Sequence, residues 1–178
     1  VVMCTKNGEK FIKEQLESIK NQTFKNFDIF ISDNNSEDST LKKINKFKEN
    51  NHEMGIHIEE GKDLFFGNNF IDLLQRIEDK YDYYAFCDQD DIWLDFHLAR
   101  GVKNLKNVEN IPSIVCSRTF LIDENGRNIG ASKKFKKSPN FRNALVQSIA
   151  GGNTMIFNNL AKKLMNNVSI DIEIVSHD

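Results

Sequence analysis

Asp88, Asp90 and Asp91 put three carboxylates within four positions, directly after the apolar run Tyr83-Tyr84-Ala85-Phe86-Cys87 and ahead of Ile92-Trp93. Like charges this close repel, and a divalent cation with oxygen ligands is the simplest countercharge. Mg²⁺ or Mn²⁺ held by one or two of these carboxylates would complete its shell with water and phosphate oxygens, which would draw in a nucleoside diphosphate. The competing reading is local. An Asp near a helix N-terminus is favoured by about 0.3–1 kcal/mol, so the cluster could be an acidic turn that caps the next helix. A second acidic stretch, Asp33-Asn34-Asn35-Ser36-Glu37-Asp38-Ser39-Thr40, also follows an apolar run. By itself it is explained by Asx turns and an N-cap. Paired with the Asp88 cluster on one edge of one sheet, it points to chemistry.

The elements around these clusters must supply that sheet. Residues 1–5 form a short apolar run that stops at Lys6-Asn7-Gly8, where a buried strand gives way to a helix. Ile12, Leu16 and Ile19 recur at helical spacing, which predicts an amphipathic helix over 9–21. A strand over 27–32 follows, then a helix capped by Ser36 or Asp38 with Leu41, Ile44 and Phe47 as its buried stripe. A weak strand at 56–59, a helix carrying Phe70, Leu74 and Ile77, and a strong strand at 83–87 continue the alternation. Such a βαβα rhythm means a mostly parallel sheet sandwiched by helices, with ligands at the carboxyl ends of the strands. Further along, 114–122 reads as one strand, the turn Asp123-Glu124-Asn125-Gly126 leads into an antiparallel return, 141–148 reads as helical, 154–157 as a strand and 160–165 as a short helix.

Composition narrows the function. The 178 residues suffice for one core, hence one domain. Twenty-four Lys and Arg against 26 Asp and Glu leave a net charge of -2, so nothing recommends a nucleic-acid partner. No apolar stretch nears the roughly 20 residues that span a bilayer, and the opening residues lack a signal-peptide layout. Cys4, Cys87 and Cys116 sit in apolar runs, which suggests buried free thiols and a cytoplasmic setting.

In chain order, Cys4-Thr5-Lys6-Asn7-Gly8, Gln22-Thr23, Asp33-Asn34-Asn35-Ser36 with Asp38 and Thr40, Gly67-Asn68-Asn69-Phe70 and Asp88-Gln89-Asp90-Asp91-Ile92-Trp93 resemble the inverting family 2 glycosyltransferases of GT-A fold. The Asp-Gln-Asp-Asp-Ile-Trp string and the closing Ser176-His177-Asp178 are most similar to the rhamnosyltransferase-like branch. The resemblance covers essentially the whole chain. It implies an α/β, Rossmann-like GT-A domain over 1–178, with a mixed, mostly parallel sheet and helices on both faces. Residues 1–95 would be the nucleotide-sugar half and 96–178 the acceptor-side half, with further acceptor-side helices expected after Asp178.

Carried over by residue, the resemblance implies that Thr5 and Asn7 border the nucleotide and that Asp33 accepts a hydrogen bond from the base. A carboxylate suits the ring N–H of uracil or thymine and disfavours cytosine. Asp88 would hold the ribose and Asp90 the metal, Mn²⁺ or Mg²⁺, as the ends of the Asp-x-Asp motif, while Asp91 caps the next helix. Asn69 would help close the donor site, Gly151-Gly152-Asn153-Thr154 would face the acceptor sugar, and Asp178 would be the catalytic base. His177 could orient that base or ligate the metal. Lys6 departs from the family, which usually carries Tyr there. The implied donor is a dTDP- or UDP-linked sugar, rhamnose by the branch, and the acceptor a saccharide or a lipid-linked saccharide in cell-surface polysaccharide synthesis.

Trp93 has two readings, a platform under the acceptor sugar or core packing. The run Lys133-Lys134-Phe135-Lys136-Lys137 reads as a solvated loop, or as a patch that holds the enzyme at the inner face of an anionic membrane. His52, His57 and His97 share no ligand spacing. Two rivals remain: a nucleotide-sugar-binding module without turnover, and a phospho-acceptor domain like bacterial response regulators, which also keep acids at strand ends.

Overall fold

Val2–Thr5 form β1, buried along its whole length, as a strand must be when helices cover both faces of its sheet. Val2 and Cys4 project to one face and Met3 to the other, and this alternation divides the core in two. The computed structural model describes residues 1–134, 139–146 and 148–174.

Around β1 the described strands form a six-stranded sheet of order β3-β2-β1-β4-β8-β5. Its parallel part comprises β1, β2 (Asp28–Asp33), β3 (Gly55–Glu60) and β4 (Tyr83–Cys87). β5 (Ile114–Val115) and β8 (Ile156–Asn158) complete it, with β8 antiparallel to both β4 and β5. Helices α1 (Ile12–Lys20), α2 (Thr40–Glu49) and α4 (His97–Leu105) pack their apolar stripes with Met3, Ile29, Ile31 and Cys87 on one face. Helices α3 (Phe66–Arg76) and α6 (Asn159–Met165) pack with Val2, Cys4, Tyr84, Phe86 and Phe157 on the other. The expected mixed, mostly parallel sheet with helices on both faces is therefore present, and Cys4, Cys87 and Cys116 are free thiols.

The second half departs from the expected elements. The apolar run 114–122 is two strands, because β5 pairs with β8 in the main sheet while Phe120–Ile122 (β6) leaves it to form a hairpin with Asn128–Ala131 (β7). The switch lies at Ser117, whose N–H is taken by Thr154 Oγ1 at 3.2 Å. The Asp123–Gly126 turn closes the hairpin as expected: Asp123 Oδ1 accepts from the N–H groups of Asn125 and Arg127, both at 2.9 Å, and Gly126 supplies a φ of 75°. Helix α5 spans only Phe141–Ala144 of the expected 141–148, and Thr154 belongs to a 3-10 turn, Gly152–Thr154, that precedes β8. Helix α2 starts at Thr40 with Ser39, not Ser36 or Asp38, at its N-cap position, although Asp38 Oδ1 does accept from the Thr40 N–H at 2.9 Å.

Among the described residues no helix is long and apolar enough to cross a membrane.

Candidate functional site

Three parallel strands deliver polar groups to one edge of the sheet. In the register Thr5 lies beside Asp33 and Met3 beside Cys87, so the clusters after β1, β2 and β4 emerge together. Strand order reverses between β1 and β4, and ligands of open α/β sheets bind at such a switch. The loops there turn through left-handed backbone at Asn7 (φ 50°), Asn35 (φ 57°) and Asp63 (φ 52°), residue types that tolerate it.

Asp33 is 3% exposed and already well supplied. Its Oδ1 accepts from the Thr5 hydroxyl at 2.6 Å and the Ser36 hydroxyl at 2.7 Å, and its Oδ2 from the Ser36 N–H at 2.9 Å. A carboxylate has about four acceptor positions, so one remains for an incoming donor. Asn7 ties two loops together: its N–H donates to Ser36 Oγ and its Oδ1 accepts from the Glu37 N–H, both at 2.9 Å. Thr5 and Asn7 therefore hold Asp33 and its loop in place.

At the β4 end Asp88 is half-buried and Asp90 exposed. Gln89 between them spans the switch point, its Oε1 accepting from the Lys6 N–H and its Nε2 donating to the Lys6 carbonyl, both at 3.0 Å. The side-chain amide thus mimics a strand partner and fixes the width of the crevice. A Cβ at Gly8 would come within 2.2 Å of Gln89 Oε1, so glycine is needed beneath it. Asp91 does not cap a helix, since α4 begins only at His97 with Phe96 at its N-cap position. Instead Asp91 Oδ2 accepts from Asn153 Nδ2 at 2.6 Å, which draws the Gly151–Asn153 loop onto the acidic cluster. Burial raises the Asp91 pKa; the Asn153 hydrogen bond partly offsets this, and repulsion from Asp90 adds to it. In the loop itself Thr154 folds back, its hydroxyl donating to the Gly151 carbonyl at 2.8 Å.

A third wall comes from the loop after β3. Its Leu64 carbonyl accepts from both Asn34 Nδ2 and Asn69 Nδ2 at 3.2 Å, so Asn69 holds that loop against the β2 cluster. Across the top, Lys6 Nζ pairs with Asp63 at 3.4 Å, both groups well exposed. Lys6, where the family it resembles usually carries Tyr, therefore turns its ammonium toward the loop after β3.

One expected site residue, Trp93, does not join this edge. Trp93 is 6% exposed and belongs to the core cluster that holds Leu98 and Leu105, with its ring 4.5 Å from that of His97. His57 stacks on Phe30 at 4.5 Å. His177 and Asp178 lie outside the described residues. Among the described residues no three His, Cys, Asp or Glu side chains cluster as a ready metal cage. Asp88 and Asp90 nevertheless fit a magnesium-like ion, which is typically bound through one or two carboxylates plus substrate phosphates. A cavity of about 400 Å³ opens at the amino ends of the strands, lined by Val1, Asp28 and Tyr83, far from the acidic edge.

Sequence reasoning missed Gln89, which stood between two more conspicuous acids, and Asn68, which stood beside Asn69. Asn68 is 2% exposed and spends its whole amide on the segment after α6, where Gln75 also binds. The seven-residue spacing of Asn68 and Gln75 on α3 was a readable signal, because it places two amides on one helix face.

The chain is similar in sequence and in fold to known proteins. The dTDP-rhamnosyl transferase RfbG of Shigella flexneri is 42% identical over 94 residues, covering 51% of this chain and 32% of that protein. An uncharacterized glycosyltransferase of Methanocaldococcus jannaschii is 34% identical over 137 residues, covering 76% of this chain and 45% of its own length. The chain thus spans between a third and a half of these relatives. Among solved structures, S. aureus TarS in complex with UDP-GlcNAc superposes with a TM-score of 0.65 at 19% identity, over 89% of this chain and 44% of that one. A mannosyltransferase from Pyrobaculum calidifontis in complex with GDP-Man and Mn²⁺ gives 0.54 at 20% identity, over 58% and 31%. These likenesses carry the GT-A fold. The sequence profile of Glycosyl transferase family 2 matches residues 1–165, and with the acids after β2 and β4 meeting at one sheet edge, the chain belongs to that family.

Proposed function

We propose that the chain is the catalytic domain of a metal-dependent, inverting glycosyltransferase that uses a pyrimidine nucleoside diphosphate sugar. The observation that carries this reading is the acidic edge itself: Asp33 keeps an acceptor position beside β1, while Asp88 and Asp90 follow β4 on either side of Gln89, which bonds to Lys6 after β1. Residues 1–95 hold the donor and 96–178 face the acceptor. Family membership removes the phospho-acceptor rival.

In this reading the open position on Asp33 accepts the base N–H, and Asp88 receives the ribose hydroxyls. Asp90, with Asp88 behind it, would hold Mn²⁺ or Mg²⁺, which when bound neutralises charge on the departing diphosphate. Asp178 takes the proton of the acceptor hydroxyl as its oxygen bonds to the anomeric carbon from the face opposite the leaving group. The bond to the diphosphate breaks with its electron pair, and the anomeric configuration inverts. The Gly151–Asn153 loop, anchored on Asp91, forms the wall nearest the acceptor. Rhamnose on dTDP is the proposed donor, supported by the likeness to the dTDP-rhamnosyl transferase of Shigella flexneri. The acceptor is a saccharide, lipid-linked where exposed Lys133 and Lys134 could meet an anionic membrane.

The test is thermal stability of the chain with uridine, thymidine, guanosine and cytidine diphosphates, each with Mn²⁺, Mg²⁺ or chelator. Ligand at about 100 times its dissociation constant adds about 2.7 kcal/mol, a shift of several degrees. A metal-dependent shift with the uridine or thymidine compound, absent in Asp90→Ala, supports the reading. A folded chain that responds to none of them overturns it.

A further inference from the structure

Asn68 is buried in the first turn of α3, yet its side-chain hydrogen bonds reach a segment more than a hundred residues later. Its Nδ2 donates to the carbonyls of Ile170 and Ile172, both at 2.8 Å, and its Oδ1 accepts from the Ile174 N–H, also at 2.8 Å. Two turns along the same helix face, Gln75 Nε2 donates to the Val168 carbonyl at 2.8 Å and the Met165 carbonyl at 3.2 Å. Gly67 completes the seat, since a Cβ there would come within 2.6 Å of the Ile174 carbonyl oxygen and side chain. The segment 165–174 therefore runs along α3 from its C-terminal half to its N-terminal end, held by backbone-directed amides whose grip is independent of the segment's own side chains.

That direction matters, because the start of α3 lies at the acidic edge. It follows the β3 loop, whose Leu64 carbonyl is bound by Asn34 and Asn69 beside the Asp33 cluster. Ile174 is thereby fixed at this edge, and Asp178 follows it four positions later in the sequence.

We propose that Asn68, with Gln75 and Gly67, is a positioning device: α3 seats a strap, residues 165–174, at the acidic edge, and this seat governs turnover by the base proposed at Asp178. This rests on the glycosyltransferase reading. Asn68 acts through the strap and touches neither donor nor acceptor.

The experiment compares the full chain with Asn68→Ala and Gly67→Ala. The second variant attacks the seat from another side, and since Ala is the better helix former it leaves α3 itself at least as stable. Hydrogen exchange is read at 168–174 and at β4, together with nucleoside diphosphate affinity and the split between kcat and donor KM. The expected result in both variants is faster exchange of the strap by tenfold or more, unchanged exchange of β4, diphosphate affinity within twofold of wild type, and kcat reduced at least tenfold with donor KM retained. Unchanged strap exchange overturns the proposal. So does a freed strap with wild-type kcat, or a loss of diphosphate affinity and β4 protection in step with kcat, which marks a merely structural role. A wild-type chain that binds no diphosphate sinks the glycosyltransferase reading instead, and strap exchange then decides the seat alone.

Discussion

Asn153 donates to Asp91 at 2.6 Å across 62 residues of sequence, and this bond couples the glycine-bearing loop to the acidic end of β4. Asp91 is half-buried, its pKa raised first by burial and further by Asp90, with the Asn153 bond working in the opposite direction.

Replacing Asp91 by Asn keeps an acceptor for Asn153 and removes the buried charge. A raised native pKa means that the folded state binds this proton more tightly than the unfolded one, so the carboxylate's contribution to stability falls as pH rises from 3.8 through the native value. Asp91→Asn should therefore gain stability relative to wild type over that interval and hold the gain at neutral pH, read by urea unfolding in metal-free buffer. Asn153→Ala should lose about 1.5–3 kcal/mol at neutral pH, where the carboxylate loses its donor.

Gln89 braces the crevice by pairing both ways with the Lys6 backbone. Gln89→Ala is expected to cost about 1–2 kcal/mol for two neutral hydrogen bonds and to weaken nucleotide binding through a looser β1–β4 junction. Gly8→Ala should reproduce part of this effect, because its methyl group displaces the Gln89 amide. Chemical denaturation and nucleotide titration of the two variants check the pair.

Thr5 tests how Asp33 is oriented. Thr5→Val preserves shape but removes the hydroxyl donated to Asp33 Oδ1, with an expected loss of about 1.5–3 kcal/mol. Thr5→Ser should restore most of it. If Asp33 reads the base, Thr5→Val also lowers affinity for uridine or thymidine diphosphate, measured by calorimetry.

His97 supplies a pH handle away from the site. Burial first, and then the nearby Arg100, lowers its pKa from 6.5 to about 4, so it stays neutral in the folded chain. Between those values the unfolded state binds the extra proton, and stability is lost as pH falls from 6.5 toward 4. His97→Gln should flatten this slope, with a difference on the order of 2–3 kcal/mol across the interval. Denaturation midpoints at pH 7, 5.5 and 4.5 measure it.

The first half of the fold was legible because its signals are physical and local. Buried parallel strands read as unbroken apolar runs, and Tyr83–Cys87 was found at its observed bounds. The stripe Ile12, Leu16, Ile19 likewise revealed α1, and all three are fully buried. The second half turns on partners distant in sequence. Nothing in 114–122 announces that Ser117 will be claimed by Thr154, so two strands look like one. The start of α4 was unreadable since Phe96 offers no side-chain cap, and this made Asp91 look like the cap it is not. Of the site, the acids were visible by type and spacing. The amides that brace the surrounding segments, Gln89 and Asn68, were not, because their contacts span 83 and more than 100 residues.

The strap along α3 also sets an order of assembly. The Thr5–Asp33 contact closes a loop of 28 residues, whereas the Asn68 bonds to the strap close loops of 102 to 106. Loop-closure entropy grows with the logarithm of length, so the later contact costs about 1 kcal/mol more to close. As the chain leaves the ribosome, the Asp33 carboxylate meets Thr5 and Ser36 within a short stretch of sequence, while the seat on α3 waits for more than a hundred further residues to be made. The carboxylate at the sheet edge can thus be set before α3 receives its strap.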